Sequence, residues 1–228
     1  MRFLAFSDVH GNAEAVSRLV SETEGEDFDF AVFGGDFTSA WFDGSAEGER
    51  QMQHIADQIA LLEIPFFYVL GNRDYSPIDD AWVECPIGES LDIEDRKFGG
   101  YRLTSSPESL GSSDILVTHS LERSLQYRQA KSLLYLYGHD HVGRVYRNYV
   151  DLGFLYRGRK AHGAREALYG CYFTIETEGG GLRVRNHSWQ LRETRCQIHG
   201  HQGTFYIPCS WSRSCPLCYD DEKYRLHF

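Results

Sequence analysis

The feature of this 228-residue sequence that most limits its fold is a series of short apolar segments, each followed directly by glycine or by polar residues. Three of these segments lie in the first third of the chain, at Arg2–Ser7, Phe28–Phe33 and Ile64–Leu70, and their length predicts strands. Between them, Ala13–Glu24 and Glu47–Glu63 carry apolar residues at helical spacing. Strands that alternate with helices predict a parallel sheet with crossover helices.

Helical spacing becomes rare beyond residue 88, and short strand-like segments take over. These are Ile115–Thr118, Leu133–Tyr137, Val142–Val150, Cys171–Thr177 and Leu182–Gln190. They predict a second, more antiparallel sheet, so the fold class is α/β. The strands stop near Leu191–Arg195, where a cluster of cysteines begins. We therefore expect one large domain over residues 1–191 and a small module over residues 192–228.

The polar residues after the apolar segments are of kinds that bind metals. They are Ser7-Asp8-Val9-His10-Gly11-Asn12, Gly34-Gly35-Asp36, Gly71-Asn72-Arg73-Asp74, Thr118-His119 and Gly138-His139-Asp140-His141. In α/β sheets the loops beyond the carboxyl ends of the strands form the ligand crevice, so these side chains are expected to converge. Carboxylate, imidazole and amide donors without a thiolate suit manganese, iron, zinc or nickel.

The five groups occur in the same order as the signature blocks of the calcineurin-like metallophosphoesterase superfamily, which this sequence resembles over roughly residues 1–190. The resemblance implies a four-layer α/β sandwich of two mixed sheets with flanking helices. It also implies two divalent metal ions, with manganese first among the candidates. Asp8, His10 and His141 resemble the ligands of one ion, Asn72, His119 and His139 those of the other, and Asp36 the carboxylate that bridges both.

This resemblance implies an enzyme, a metal-dependent hydrolase of phosphomonoesters or phosphodiesters that uses a metal-bridging hydroxide. Two ions polarise a phosphoryl oxygen, lower the pKa of water and align the attacking and leaving oxygens. Two alternatives stay open. One is a nuclease acting on single-stranded nucleic acid, and the other is a noncatalytic scaffold with the same fold.

Arg73 departs from the family pattern, which most often has histidine at this position of the third block. Arginine keeps its proton at any ordinary pH, so it cannot act as a general acid. It can stabilise charge on phosphoryl oxygens. We therefore expect Arg73 to contact the phosphate and the site to favour esters with good leaving groups.

The net charge of −10 hides an uneven distribution. Residues 1–95 carry 21 acidic and 4 basic side chains, whereas residues 96–228 carry 12 acidic and 19 basic ones. Arginine and tyrosine alternate after His141, which indicates either a phosphate-binding surface or an ordinary solvated face of a strand. The substrate-contact candidates are Asn12, Arg157, Arg159 and His162.

Four of the six cysteines lie between residues 196 and 218. Cys196 and His199, then Cys215 and Cys218, form two pairs with two intervening residues each, and fifteen residues separate the pairs. This spacing is typical of a zinc ribbon holding one structural zinc ion. His201 or Cys209 are alternatives to His199 or Cys215. Because a region this short can form only a small hydrophobic core, bound zinc would supply much of its folding free energy.

Composition excludes several classes of protein. An apolar content of 42% is too high for a disordered chain, and the excess of acidic residues argues against a general polyanion binder. The sequence has no apolar stretch of membrane-spanning length and no signal-peptide pattern at its start, so we expect a cytoplasmic protein without a membrane partner.

Overall fold

The structure, a computed structural model, describes residues 1–108, 110–120, 132–158, 167–178, 181–197, 200–211 and 215. Three helices lie in the first 60 residues: α1 (Ala13–Thr23), α2 (Ala40–Asp43) and α3 (Ser45–Ala60). The strands are β1 (Arg2–Phe6), β2 (Phe30–Phe33), β3 (Phe66–Tyr68), β4 (Tyr75–Ser76), β5 (Ala81–Trp82), β6 (Glu89–Ser90), β7 (Arg96–Phe98), β8 (Tyr101–Thr104), β9 (Asp114–Thr118), β10 (Leu134–Tyr137), β11 (Gly143–Tyr146), β12 (Tyr149–Asp151), β13 (Tyr156–Arg157), β14 (Leu168–Tyr169), β15 (Cys171–Glu178), β16 (Gly181–Ser188), β17 (Leu191–Thr194) and β18 (Thr204–Pro208).

The first sheet has six strands in the order β16-β15-β1-β2-β3-β6. The four strands from β1 to β6 are parallel, and β15 and β16 extend the sheet as an antiparallel hairpin. Side chains alternate between its two faces, as the two-residue period of a strand requires. Phe3 and Ala5 of β1 face the second sheet, whereas Leu4 and Phe6 face the helices.

The second sheet has eight strands in the order β17-β18-β11-β12-β10-β9-β8-β7. Its central strands β8, β9, β10 and β12 are parallel, and the antiparallel pairs lie towards both edges. Four of its seven strand pairings are antiparallel, against two of five in the first sheet, so the expectation of a more antiparallel second sheet is confirmed. Apolar side chains of β9, β10 and β12 pack between the two sheets in the larger core cluster.

The prediction of an α/β fold with two mixed sheets is confirmed. Among the described residues, α1 and α3 cover the outer face of the first sheet, and that sheet packs on the second. The described chain therefore has three layers, in the order helices, sheet, sheet. No helix in the described ranges is both long and apolar enough to span a membrane.

Two strand predictions need correction. The segment Val142–Val150 is not one strand but the hairpin β11 and β12, because the chain turns at Arg147, where φ is 54°. Glycine is the usual residue at a positive φ, so the sequence carried no clear turn signal there. The segments Cys171–Thr177 and Leu182–Gln190, expected in the second sheet, form the hairpin β15 and β16 of the first sheet, because β15 pairs with β1. The second sheet is instead extended by β17 and β18, which pair with each other while β18 pairs with β11.

Candidate metal centre

The five polar groups of the sequence converge at one edge of the two sheets. Asp8 and His10 follow β1, Asp36 follows β2, and Asn72 follows β3 in the first sheet. In the second sheet His119 follows β9, and His139 and His141 follow β10. These are all parallel strands, so their carboxyl ends meet at the same edge and the loops form a crevice.

Asp8, His10, Asp36 and His141 form the first cluster of candidate ligands. One donor atom from each of the four lies within 4.8 Å of the others. The His141 Nε2 atom is 2.9 Å from Asp8 Oδ1 and 3.0 Å from His10 Nε2. His10 Nδ1 is 4.0 Å from Asp36 Oδ2. Oxygen and imidazole donors thus point into one small volume, as a cation site requires.

The second cluster contains Asn72, His119 and His139. The Asn72 Oδ1 atom is 3.1 Å from His119 Nε2 and 2.9 Å from His139 Nδ1, and the two imidazole nitrogens are 3.2 Å apart. Asp36 links the clusters, because its Oδ1 atom is 3.3 Å from His119 Nε2 and its Oδ2 atom approaches His10. The structure therefore brings together all seven residues that the resemblance suggests as dimetal ligands.

Neighbouring histidines keep the two buried carboxylates of the centre ionised. Asp8 is fully buried and Asp36 nearly so. Burial works to raise the pKa of each, but the charge of His141 near Asp8 and of His119 near Asp36 outweighs it, and both pKa values are lowered. In the described chain neither carboxylate forms an ion pair with Lys or Arg. Their negative charge is therefore left for imidazolium groups or cations to balance.

Asp36 in turn raises the pKa values of two neighbouring groups. Burial lowers the pKa of His119, but Asp36 counters this strongly and raises it to about 10. His119 Nδ1 is 2.8 Å from the Gly34 carbonyl oxygen, which orients the ring with Nε2 towards Asn72 and Asp36. For Asp74, burial raises the pKa to about 7, with a further contribution from the charge of Asp36.

Asp74 holds the loops together rather than lining the crevice. It is fully buried, and its carboxylate accepts hydrogen bonds from the backbone N–H groups of Asp36, Thr38 and Gly71, at 3.1, 2.8 and 2.9 Å. These bonds tie the loop after β3 to the loop after β2. Asp74 therefore fixes the relative position of Asp36 and Asn72.

The backbone of the candidate ligands adopts an uncommon conformation. Asp8, His10, Asp36, His139 and His141 all have positive φ angles, between 48° and 74°. Non-glycine residues rarely adopt this conformation, and it persists where the surrounding structure determines it and often where function requires it. A positive φ at five of seven candidate ligands indicates that the fold holds these side chains in place before any ligand binds.

Gly138 shows how closely the two sheets approach at the centre. A Cβ atom at this position would lie 2.1 Å from Ser7 Oγ and 2.5 Å from Asp8 Oδ2. Both distances are far below van der Waals contact, and neither neighbour is the end of a long, flexible side chain. Glycine therefore allows the loop after β10 to pack against the end of β1, where the His139 N–H donates to Asp8 Oδ2.

The donor set fits divalent cations. It consists of two buried, ionised carboxylates, four imidazoles and one amide oxygen, and it contains no thiolate, a combination that suits manganese, iron or zinc. Two buried carboxylates without a basic side chain as partner need compensating positive charge. The buried group of Asp8, His10, Asp36 and His141 thus fits part of a dimetal site.

Arg73 lies beside the centre, with its backbone N–H 2.7 Å from Asp36 Oδ1. Its guanidinium group lies 4.4 Å from the ring centroid of Phe42 and 5.9 Å from that of Trp41. We did not single out these two aromatic residues from the sequence, because they belong to no motif and the short helix α2 gives too few residues for a periodic pattern.

Two of the four substrate-contact candidates, Asn12 and Arg157, lie in the part of the chain that the structure describes. Asn12 caps α1, because its Oδ1 atom accepts a hydrogen bond from the Ala15 N–H at 2.7 Å. Arg157 is partly buried near the rings of Phe154 and Trp211, at 5.4 and 6.0 Å, and burial lowers its pKa. Arg159 and His162 lie outside the described residues.

A second group of candidate ligands lies near the carboxyl terminus. Cys196, His201 and Cys215 each place a donor atom within 4.8 Å of the other two. His201 is one of the two alternatives to the spacing-based pairs, and His199 and Cys218 lie outside the described residues. The group's two cysteines, Cys196 and Cys215, pack with Phe205 and Ile207 of β18 at the edge of the second sheet.

The loop that carries His201 is attached to the strand that follows the metal centre. Arg144 of β11 is only 5% exposed, and its Nε atom donates to the Gln202 carbonyl oxygen at 3.0 Å. Its guanidinium group also lies 5.0 Å from the ring centroid of Phe205. Arg144 therefore contacts the carboxyl-terminal loop and strand, and this contact is the observed role of the first arginine after His141.

Comparison with known proteins identifies the family. The sequence profile of the calcineurin-like phosphoesterases matches residues 1–148, which is more than half of the chain. The chain therefore belongs to the calcineurin-like phosphoesterase family, whose members are metal-dependent phosphoesterases. No curated protein sequence matches it.

Several solved structures share the fold at low sequence identity. A protein of Thermus thermophilus is 16% identical with a TM-score of 0.53, covering 81% of this chain and 98% of that one. A dimetal phosphatase from Danio rerio is 10% identical with a TM-score of 0.54, covering 82% and 96%. A purple acid phosphatase from yellow lupin is 13% identical with a TM-score of 0.51, covering 91% and 53%. At these identities the likeness establishes the fold alone.

Proposed function

We propose that this protein hydrolyses phosphate esters, monoesters or diesters, with the help of two divalent metal ions. One observation carries the proposal: the buried group of Asp8, His10, Asp36 and His141 is joined through Asp36 to Asn72, His119 and His139. When bound, two such ions polarise a phosphoryl oxygen and lower the pKa of water, which is the chemistry of phosphate-ester hydrolysis.

The distances suggest which residues would hold each of the two ions. Asp8, His10 and His141 would hold one ion, and Asn72, His119 and His139 the other, with Asp36 contacting both. We rank manganese first among the ions, and iron, zinc and nickel suit the same donors. The Gly34 carbonyl fixes the ring orientation of His119, as partners outside the ligand shell do in metal sites.

Arg73 would hold the phosphoryl group and stabilise its charge. Its backbone is fixed at Asp36, and its side chain lies beside the centre. Because arginine does not release its proton, the leaving group departs without a proton from this residue, which favours esters of acidic alcohols. We expect Arg73→Ala to slow both aryl and alkyl diesters, and Arg73→His to restore alkyl diesters more than aryl ones. Unchanged rates in both variants would contradict this role.

The test of the function is hydrolysis of bis-4-nitrophenyl phosphate with added manganese. We expect Asp36→Asn to lower kcat/KM more than about 100-fold, because Asp36 lies between both clusters. Asp57→Asn is the matched control, since this exposed residue of α3 is far in sequence from any candidate ligand. Equal activity in wild type and Asp36→Asn would mean that the hydrolysis does not come from this centre. No activity in the wild type with two metals bound would favour the noncatalytic scaffold.

The nuclease stays a separate possibility. The sequence feature that favours a nuclease is the alternation of arginine and tyrosine after His141. The first of these arginines, Arg144, is buried against the Gln202 carbonyl, which weakens this support. Nuclease activity would require salt-sensitive binding of single-stranded nucleic acid. Filter binding of an oligonucleotide between about 50 and 200 mM salt, chosen as concentrations where counterion release is measurable, tests this directly.

We also propose a structural zinc ion at the carboxyl-terminal group. Cys196, Cys215 and His201 are the donors that support it, and thiolate with imidazole is the usual ligand set of structural zinc. In this proposal the histidine ligand is His201 rather than His199, which the spacing of the pairs favoured. Metal analysis of purified protein is expected to find tightly held zinc that Cys215→Ser removes.

A further inference from the structure

Exposed aromatic side chains are concentrated beside the metal centre. In the described part of the chain, the exposed Trp and Phe residues are Trp41, Phe42 and Trp82, with 39%, 48% and 54% of their surface accessible. Tyr75 connects them, because its ring centroid lies 6.4 Å from that of Trp41 and 5.3 Å from that of Trp82. We call Trp41, Phe42, Tyr75 and Trp82 the aromatic shelf. Contiguous exposed apolar surface of this kind usually marks a binding site.

The aromatic shelf is physically attached to the centre through Arg73. The Arg73 carbonyl accepts a hydrogen bond from the Trp41 N–H at 3.2 Å, and its guanidinium group lies over Phe42. Its own N–H donates to Asp36. A ligand group on the aromatic shelf would therefore lie next to Arg73, which is proposed to bind the phosphate and is itself hydrogen-bonded to the proposed metal ligand Asp36.

The charges around the aromatic shelf limit what it can bind. Residues 74–95 contain eight Asp or Glu residues and no Lys or Arg, and Arg73 is the only Lys or Arg between positions 51 and 95. Such a surface repels a long polyanion. A ligand with one phosphate at Arg73 and an uncharged ring beside it would meet much less of this repulsion.

We propose that the aromatic shelf binds a planar ring of the substrate, so that the substrate class is a small phosphate ester of a nucleoside or another aromatic alcohol. Trp41 and Phe42 stack with the ring while Arg73 holds the phosphate. Stacking of a base on an aromatic side chain is strong enough to determine preference among esters. This inference rests on the proposed phosphoesterase function, and it adds which part of the substrate the protein recognises.

The experiment compares two diesters with the same leaving group, thymidine 5′-(4-nitrophenyl phosphate) and methyl 4-nitrophenyl phosphate, both assayed with manganese. The scissile bond is the same, so the ratio of their kcat/KM values reports recognition of the nucleoside. We expect the wild type to prefer the thymidine ester about tenfold or more. The double variant Trp41→Leu, Phe42→Leu removes both rings and keeps apolar side chains beneath Arg73, and we expect its preference to fall to about threefold or less.

The control is Phe28→Leu. The Arg2 guanidinium lies 4.6 Å from the Phe28 ring centroid, so this pair has the same chemistry as Arg73 and Phe42 but lies before β2, at the opposite end of the first sheet. We expect Phe28→Leu to keep the wild-type preference. An equal preference in the wild type and the double variant, or no preference in the wild type, overturns the inference.

A binding measurement separates failure of this inference from failure of the proposed function. If the wild type hydrolyses neither ester, the phosphoesterase proposal fails, and isothermal titration with thymidine 5′-monophosphate and with methyl phosphate tests the aromatic shelf alone. Binding of the nucleotide about tenfold more tightly than methyl phosphate, lost in the double variant, supports the aromatic shelf as a ring-binding site. Equal binding of the two ligands overturns it.

Discussion

The group of Asp8, His10, Asp36 and His141 and the group of Cys196, His201 and Cys215 reach their positions in different ways. The first group draws on loops after β1, β2 and β10, which belong to two sheets and are up to 133 residues apart in sequence. The second group lies within twenty residues and contacts one edge of the second sheet. The first depends on the whole core and the second on a local segment.

This difference has a consequence for what metal binding does to the protein. Around the first group, the core, the positive φ angles and the hydrogen bonds of Asp74 hold the ligand loops in place. A cation there would add function to a structure that is already formed. Around the second group the apolar cluster is small, so a bound ion would provide much of the local stability.

The largest expected effect is a loss of activity when the loop after β10 can no longer pack closely against the end of β1. Gly138→Ala places a Cβ atom within 2.5 Å of both Ser7 Oγ and Asp8 Oδ2, so the loop bearing His139 and His141 must move away from β1. Displacement of catalytic groups by about 1 Å costs about 100-fold in rate, and we expect a loss of this size in kcat/KM. Gly111→Ala is the control, since its Cβ would have contacts of 3.6 Å or more. If both variants keep full activity, the first group does not depend on this packing.

A smaller and more local effect is expected from the second group. Cys215→Ser removes one of the proposed zinc ligands, and we expect amide hydrogen exchange in β18 to become more than about tenfold faster while exchange in β1 and β2 stays unchanged. Cys209→Ser is the matched control, because Cys209 is exposed and lies outside the group. Faster exchange throughout both sheets would show that the second group supports the whole fold, and the contrast between the two groups would then be wrong.

The smallest effect is expected from the link between the two regions. Arg144→Met keeps much of the buried volume but leaves the Gln202 carbonyl without its donor, which costs about 1.5–3 kcal/mol for a hydrogen bond to a charged group. Thermal unfolding should show a lower Tm for this variant. Arg147→Met, at an exposed position in the turn before β12, is expected to change the free energy of unfolding by less than about 0.5 kcal/mol. Equal stability of both variants would mean that the contact between Arg144 and Gln202 adds nothing to the free energy of unfolding.

Much of the fold could be predicted, because strands and helices follow from local periodicity. The helix predicted at Ala13–Glu24 is α1 (Ala13–Thr23), and the strand predicted at Arg2–Ser7 is β1 (Arg2–Phe6). The hairpin inside Val142–Val150 could not be predicted, because its turn places arginine rather than glycine at a positive φ. The two-residue strands β4 and β5 are too short for any periodic pattern.

For the candidate sites, the motifs identified the types of ligand but only part of their arrangement. The order of the five blocks led to all seven residues of the metal centre, because each block ends a strand. Spacing favoured His199 over His201 near Cys196, whereas the described residues bring His201 within 4.8 Å of Cys196 and Cys215. The aromatic shelf was not found from the sequence, because Trp41 and Trp82 are brought together through Tyr75 only by folding.

The sequence by itself determined that the chain forms an α/β fold whose strands end in residues of the kinds that bind metals, because both properties follow from local patterns of apolar, glycine and polar residues. Only the tertiary structure decided which of these residues share a volume. The distances from Asp36 to His119 and His10, the burial that sets the pKa values and the position of Arg73 over Phe42 all arise from packing between distant segments. Such contacts depend on the shape of the whole core, which no local segment specifies.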